Sequence, residues 1–307
     1  MKIFLIVLLS ILVFILVVFA LYLLIGYITF RLAMSRNGKF KKGIELKSKI
    51  ALSKQPEISD YFADFEKIVI QSNEDLKLYG FYKNNDKDKL ALLVHGYGGS
   101  HYDTYSYAKI FEERGYDILA VDLRAHGESE GDYLTMGLYE HYDVIKWIEK
   151  MLELKHNYKI VLFGVSMGAS TVCMTLGENL PNNVICAIED CGYDNANNEF
   201  KHVYSKTKFI KLFYRIFYNY TLKSRGIDLK KIDAVEKLKK SKLPILFIHG
   251  EKDDFVPTAM VYNLYDAVPE SRRDIYIAKD ATHTKSIDVN VKEYKRRLDR
   301  FLTKYCV

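Results

Sequence analysis

Apolar and polar positions alternate along the chain in three different ways. The first is hardly an alternation: between Lys2 and Arg31 run 28 residues, IFLIVLLSILVFILVVFALYLLIGYITF, with no charge and 22 Leu, Ile, Val or Phe. Roughly 20 such residues cross a bilayer core, and each at about −0.3 kcal/mol or better favours insertion, so residues 3–30 are expected to form a transmembrane anchor. A cleaved secretory signal has an apolar run about half as long, followed by a small-residue cleavage site. No A-x-A follows here, which favours an uncleaved anchor.

Past residue 64 the pattern changes. Short apolar runs, KIVIQ (67–71), LKLYGFY (76–82), LALLVHG (90–96), YDILAVD (116–122), KIVLFGV (159–165), VICAIED (184–190), PILFIHG (244–250) and DIYIAKD (274–280), alternate with helix-like stretches at 103–114, 137–154, 167–179, 258–267 and 286–304. Most of the runs are continuous rather than period-two, as a strand covered on both faces by helices requires. The first two, joined by the polar turn SNED, read as an opening pair of strands. Repeated strand, helix, strand order predicts an α/β fold, with a mainly parallel sheet between layers of helices.

The third pattern spans about 192–242, where no strand signal occurs. The stretch is helical in character and rich in aromatics, among them Tyr193, Phe200, Tyr204, Phe209, Phe213 and Phe217. It is too long for a simple connection and reads as a small helical cap over the carboxyl edge of the sheet. Its aromatics suit two roles equally, packing the cap onto the core or lining a substrate site. The expected organisation is an anchor at 3–30, a basic juxtamembrane linker at 31–64 and one α/β domain at 65–307 that carries the cap.

Charge refines this plan. The net charge of +6 gathers near the lysine-rich stretch 223–242 and beside the anchor, where Arg31, Arg36, Lys39, Lys41, Lys42, Lys47 and Lys49 face one Glu45. Only Lys2 and the α-amino group lie on the other side, so the positive-inside rule predicts a cytoplasmic domain whose basic flank suits anionic headgroups. No aromatic-interleaved basic motif accompanies these charges, which argues against a nucleic-acid partner. The four cysteines, Cys173, Cys186, Cys191 and Cys306, show no C-x-x-C and no dense spacing, so neither a disulfide framework nor a zinc site is suggested.

Candidate chemistry centres on GVSMG (164–168). A bare G-x-S-x-G arises by chance in roughly one chain of this length in ten, but here a buried-strand pattern precedes it and a helix pattern follows, the context of a nucleophile elbow. Gly164 and Gly168 lack the Cβ atoms that would clash where strand and helix cross, and Ser166 between them is held in a strained conformation. A serine hydroxyl needs a base, and the base an orienting group. Of the downstream histidines, His202 falls in the cap and His249 precedes a turn glycine. His283 follows the last strand in KDATHTKS, at the sheet edge that Ser166 occupies, and is the favoured base. The acid is expected in EKDDFVP, where spacing does not choose between Asp253 and Asp254; Asp190 is a weaker candidate. Oxyanion donors are expected from the amide of Met167 and, in VHGYGGS (94–100), from that of Tyr97. The glycine turn lacks a P-loop lysine, and no G-x-G-x-x-G occurs, so no cofactor and no metal are expected.

Together HGYGGS, DLRAHGES (122–129), GVSMG, HGEKDDFVP and the later TH resemble the α/β-hydrolase superfamily over about residues 65–305. More narrowly they are similar to its serine-aminopeptidase-like and membrane-anchored, esterase-like branches. The resemblance implies that Asp253 orients the base and that Tyr97 and Met167 donate to the oxyanion. The family often has glycine where Ala125 stands, a departure in a turn. The function expected is a membrane-anchored serine hydrolase of carboxylic esters, acting through Ser166, His283 and Asp253, and the aromatic cap and adjoining bilayer suggest a lipophilic acyl substrate. An acyl-thioesterase and a small-peptide hydrolase use the same machinery, and a non-catalytic binding protein is the rival of a different class.

Overall fold

The computed structural model describes residues 1–205 and 210–306; Phe209 of the aromatic cap lies outside them. In chain order the helices are α1 (Lys2–Met34), α2 (Lys39–Lys54), α3 (Pro56–Ala63), α4 (Tyr105–Glu112), α5 (Glu140–Leu154), α6 (Met167–Thr175), α7 (Ala196–Ser205), α8 (Ile210–Arg225), α9 (Ala234–Leu238), α10 (Ala259–Asp266), α11 (Ser286–Val289) and α12 (Val291–Tyr305). The strands are β1 (Glu66–Gln71), β2 (Lys77–Lys83), β3 (Lys89–Val94), β4 (Asp117–Val121), β5 (Lys159–Val165), β6 (Val184–Asp190), β7 (Ile245–Gly250) and β8 (Arg273–Ala278).

All eight apolar runs become strands of one sheet, ordered β1-β2-β4-β3-β5-β6-β7-β8. β2 runs antiparallel to both its neighbours, and β4, β3, β5, β6, β7 and β8 are mutually parallel. The runs were continuous because the central strands are covered on both faces: every residue of β4, and every residue of β5 after Lys159, is buried. Two apolar layers result. One lies under α5, α6 and the cap, around Trp147, Leu162 and Phe217, and the other lies under α4 and α12, around Phe111, Phe163 and Phe301. The expected terminal helix is interrupted at Asn290, whose side chain accepts from the Glu293 amide and starts α12 anew.

Two features depart from the sequence reading. The segment 31–64, expected as a linker, is mostly helical: α2 and α3 occupy it, with Lys41 buried and bonded to Glu45, and Phe62 packed in the second layer. The cysteine spacing suggested no disulfide, yet Cys186 on β6 and Cys306 after α12 are bonded. They stand 120 positions apart, and only the packing of α12 on the sheet brings them together; local spacing carries no trace of that.

α1 divides into two parts. Residues 2–21 are exposed along their whole length, about 30 Å at 1.5 Å per residue, and α1 is the one helix among the described residues long and apolar enough to cross a membrane. From residue 22 onward it packs against α8. Gly26 permits the close approach, since a Cβ there would come within 2.6 Å of the Tyr220 Cβ. The Phe30 ring is enclosed by Tyr133, Tyr220 and the Arg225 guanidinium.

Candidate active site

β5 delivers Ser166 to the carboxyl edge of the sheet. There the backbone turns sharply into α6, and Ser166 takes φ 55°, ψ −121°. This left-handed conformation is strained for a residue with a Cβ, and the Ser166 amide, donating to Asp190 O at 2.8 Å, holds it. The flanking glycines make the turn possible. A Cβ on Gly164 would overlap the Gly168 carbonyl, and one on Gly168 would overlap the carbonyls of Val94 and His95.

Three predicted residues meet in one chain of hydrogen bonds. Ser166 Oγ lies 2.8 Å from His283 Nε2, and His283 Nδ1 lies 2.7 Å from Asp253 Oδ2. Asp253 is buried, and its second oxygen accepts the amides of Phe255 and Val256, each at 3.0 Å. Burial alone would raise its pKa, but hydrogen bonds and charge from His249 and His283 outweigh burial and bring it down to about 2. The carboxylate is therefore ionised, and it accepts the Nδ1–H of His283 and leaves Nε2 facing the serine. The Phe255 ring, 4.9 Å from the imidazole, covers its other side.

The remaining candidates stand elsewhere. Asp254 uses its carbonyl to accept from His202 of α7 at 2.9 Å. Asp190 accepts from the Tyr294 hydroxyl at 2.9 Å, on the far layer. His249 is buried behind Asp253, 3.3 Å from its Oδ2, and bonds Val256 O. It is a supporting neighbour of the acid that sequence position alone described only as a turn residue.

The loop after β3 arches over the serine. An added Cβ on Gly96 would lie 3.1 Å from the Ser166 Cβ, so glycine at 96 eases the close approach of the loop to the serine. Two buried imidazoles brace it. His95 donates from Nδ1 to Gly96 O and accepts the Leu123 amide, while His126 donates to Arg124 O and accepts the Gly98 amide. Burial first, with nearby cations for His126, pushes both pKa values down, so each stays neutral and keeps these roles. Neither the Tyr97 nor the Met167 amide has a hydrogen-bond acceptor among the described residues. Ala125 of the neighbouring turn has φ 60°, which explains why glycine suits that position.

Comparison with known proteins agrees with this architecture. A family model described as the α/β-hydrolase fold matches residues 91–208. The chain has the α/β-hydrolase fold. The esterase Pf2001 of Pyrococcus furiosus superposes with a TM-score of 0.64 at 25% identity, covering 82% of this chain and 94% of that one. The acylaminoacyl peptidase of Pyrococcus horikoshii gives 0.58 at 20% identity, covering 82% of this chain and 43% of that one, and shares the fold. Among curated sequences, the uncharacterized protein YqkD of Bacillus subtilis is 26% identical over 259 residues, 79% of this chain and 82% of that one.

Within this fold a cavity of about 560 Å³ opens from Ser166 between the sheet edge and the cap. Its walls are mostly apolar, as in many small-molecule sites. Tyr193, Phe200, Tyr204 and Phe213 of the cap region line it, and the first three also pack the cap onto the core. The sequence did not mark the opposite wall, which α1 and α2 supply.

Proposed function

We propose that this protein is a serine hydrolase of carboxylic esters, with Ser166 as nucleophile, His283 as general base and acid, and Asp253 as the group that orients His283. The observation that carries the reading is the unbroken Ser166–His283–Asp253 chain at the floor of an apolar cavity. Ser166 Oγ attacks the ester carbonyl as its proton passes to His283 Nε2. The oxyanion is received by the amides of Tyr97 and Met167, and Asp253 stabilises the imidazolium. The alcohol leaves with the proton from Nε2. Water, deprotonated by the same nitrogen, then attacks the acyl-enzyme and releases the acid. The apolar walls favour an acyl chain over a charged peptide, which ranks ester hydrolysis above aminopeptidase action. α1 anchors the enzyme in a membrane.

A fluorophosphonate probe is expected to label the wild type at Ser166 and to leave Ser166→Ala unlabelled. The substitution should lower kcat on p-nitrophenyl esters by on the order of 10⁴-fold or more. A wild type that resists the probe overturns the assignment, and cleavage of aminoacyl anilides but not esters moves it to a peptidase.

A further inference from the structure

The cavity above Ser166 is not enclosed by the hydrolase domain alone. Thr29, Leu32 and Ala33, on the last turns of α1, and Phe40 and Ile44, on the first turns of α2, form one side of it. These turns are docked, not loosely placed. Phe30 and Gly26 pack on Tyr220, the Leu134 amide donates to Met34 O at 2.9 Å, and the Ile44 side chain lies against Gly98. Phe40 is 61% exposed and Phe213 38%, so the cavity has an apolar rim facing solvent. Apolar surface of this kind marks a contact with something apolar, and here the rim runs onto α1, whose residues 2–21 are exposed over a bilayer's thickness. Arg31 and Arg225 stand around one pocket at this end of α1, each over an aromatic ring, an arrangement suited to a headgroup boundary.

We infer that the helix which tethers this protein is also a wall of its acyl-chain site, and that the substrate is an acyl ester of the bilayer itself, drawn along α1 into the cavity. This rests on the serine-hydrolase reading above. A chain leaving the bilayer along α1 passes Leu32 and Ala33, lies between Ile44 and the cap aromatics, and brings its ester carbonyl to Ser166 without crossing water. Each methylene that stays out of water adds to the driving force, so a lateral route favours long chains.

The test uses the full chain in phosphatidylcholine vesicles and a fluorophosphonate with a long alkyl chain ending in a diazirine. After the probe reacts with Ser166, photolysis should link it to peptides that contain residues 29–33 or 40–44. Labelled Ser166 with cross-links confined to other segments overturns the inference and spares the hydrolase reading. No labelling at Ser166 overturns both. As an independent measure, Leu32→Trp and Ile44→Trp should each lower the ratio of long-chain to acetyl-ester kcat/KM at least tenfold, while Leu16→Trp, on the exposed stretch, leaves the ratio as it is. Reaction with a short-chain fluorophosphonate verifies that the variants are folded. An unmoved ratio in both folded pocket variants also overturns the inference.

Discussion

Asp253 keeps a negative charge that burial opposes, because two imidazoles and two amides share it. Asp253→Asn would preserve the shape but would present an amide to Nδ1, favouring the wrong tautomer of His283. Its kcat on esters is expected to fall roughly 10⁴-fold, with Tm changed far less, measured by ester turnover beside thermal unfolding. Glu189, at the same sheet edge, has the opposite fate. Fully buried, it accepts the Gly192 amide with one oxygen, and burial pushes its pKa up to about 8 against the charge of His249. Its folded pKa is raised above the ordinary 4.5, so the stability it contributes is full below that value and is lost as pH rises toward 8. Asp190, raised by burial to about 6, adds to the same slope. From pH 4.5 to 8 the Tm of the wild type should therefore fall relative to that of Glu189→Gln, the buried neutral His95 and His126 adding the opposite slope to both proteins alike. Equal slopes in the two proteins would count against a protonated Glu189.

Between elements, the close crossing of α1 on α8 depends on Gly26. Gly26→Val would push Tyr220 away and is expected to cost about 1–3 kcal/mol, read as a lower Tm in detergent micelles. Such contacts explain what the sequence disclosed and what it did not. The central strands were legible because a strand buried on both faces must be apolar throughout, as KIVLFGV is, and the first two because a polar turn joins them. Ser166, His283 and the Asp253/Asp254 pair were legible because each follows a strand at the same sheet edge, where parallel order brings their loops together. The choice of Asp253 came from resemblance, and in the structure its Oδ2 lies 2.7 Å from His283 Nδ1. The docking of α2 left no signal. Its Phe40, Ile44 and buried Lys41 are spaced as on any basic amphipathic helix, and only the tertiary contacts separate a linker from a wall. The Cys186–Cys306 pair was hidden for the same reason.

At the scale of the whole molecule, two features bear on which side of a membrane the domain would occupy with α1 as its anchor. The seven basic residues after the anchor favour the cytoplasm, whereas a disulfide persists on an oxidising side. Alkylating the thiols in intact cells before any reduction decides between them. With the bond in place, Cys173 and Cys191 alone react once the chain is unfolded, and four thiols appear after reduction. Four thiols before reduction would return the domain to the cytoplasm. Finally, the Tyr97 hydroxyl donates to the Ala33 carbonyl at 2.6 Å, at the open end of α1 where helix carbonyls lack partners. Biochemists who trim such a chain to obtain a soluble fragment would therefore remove more than an address. They would purify a different molecule, with one wall of its cavity missing and the loop after β3 released from its strut.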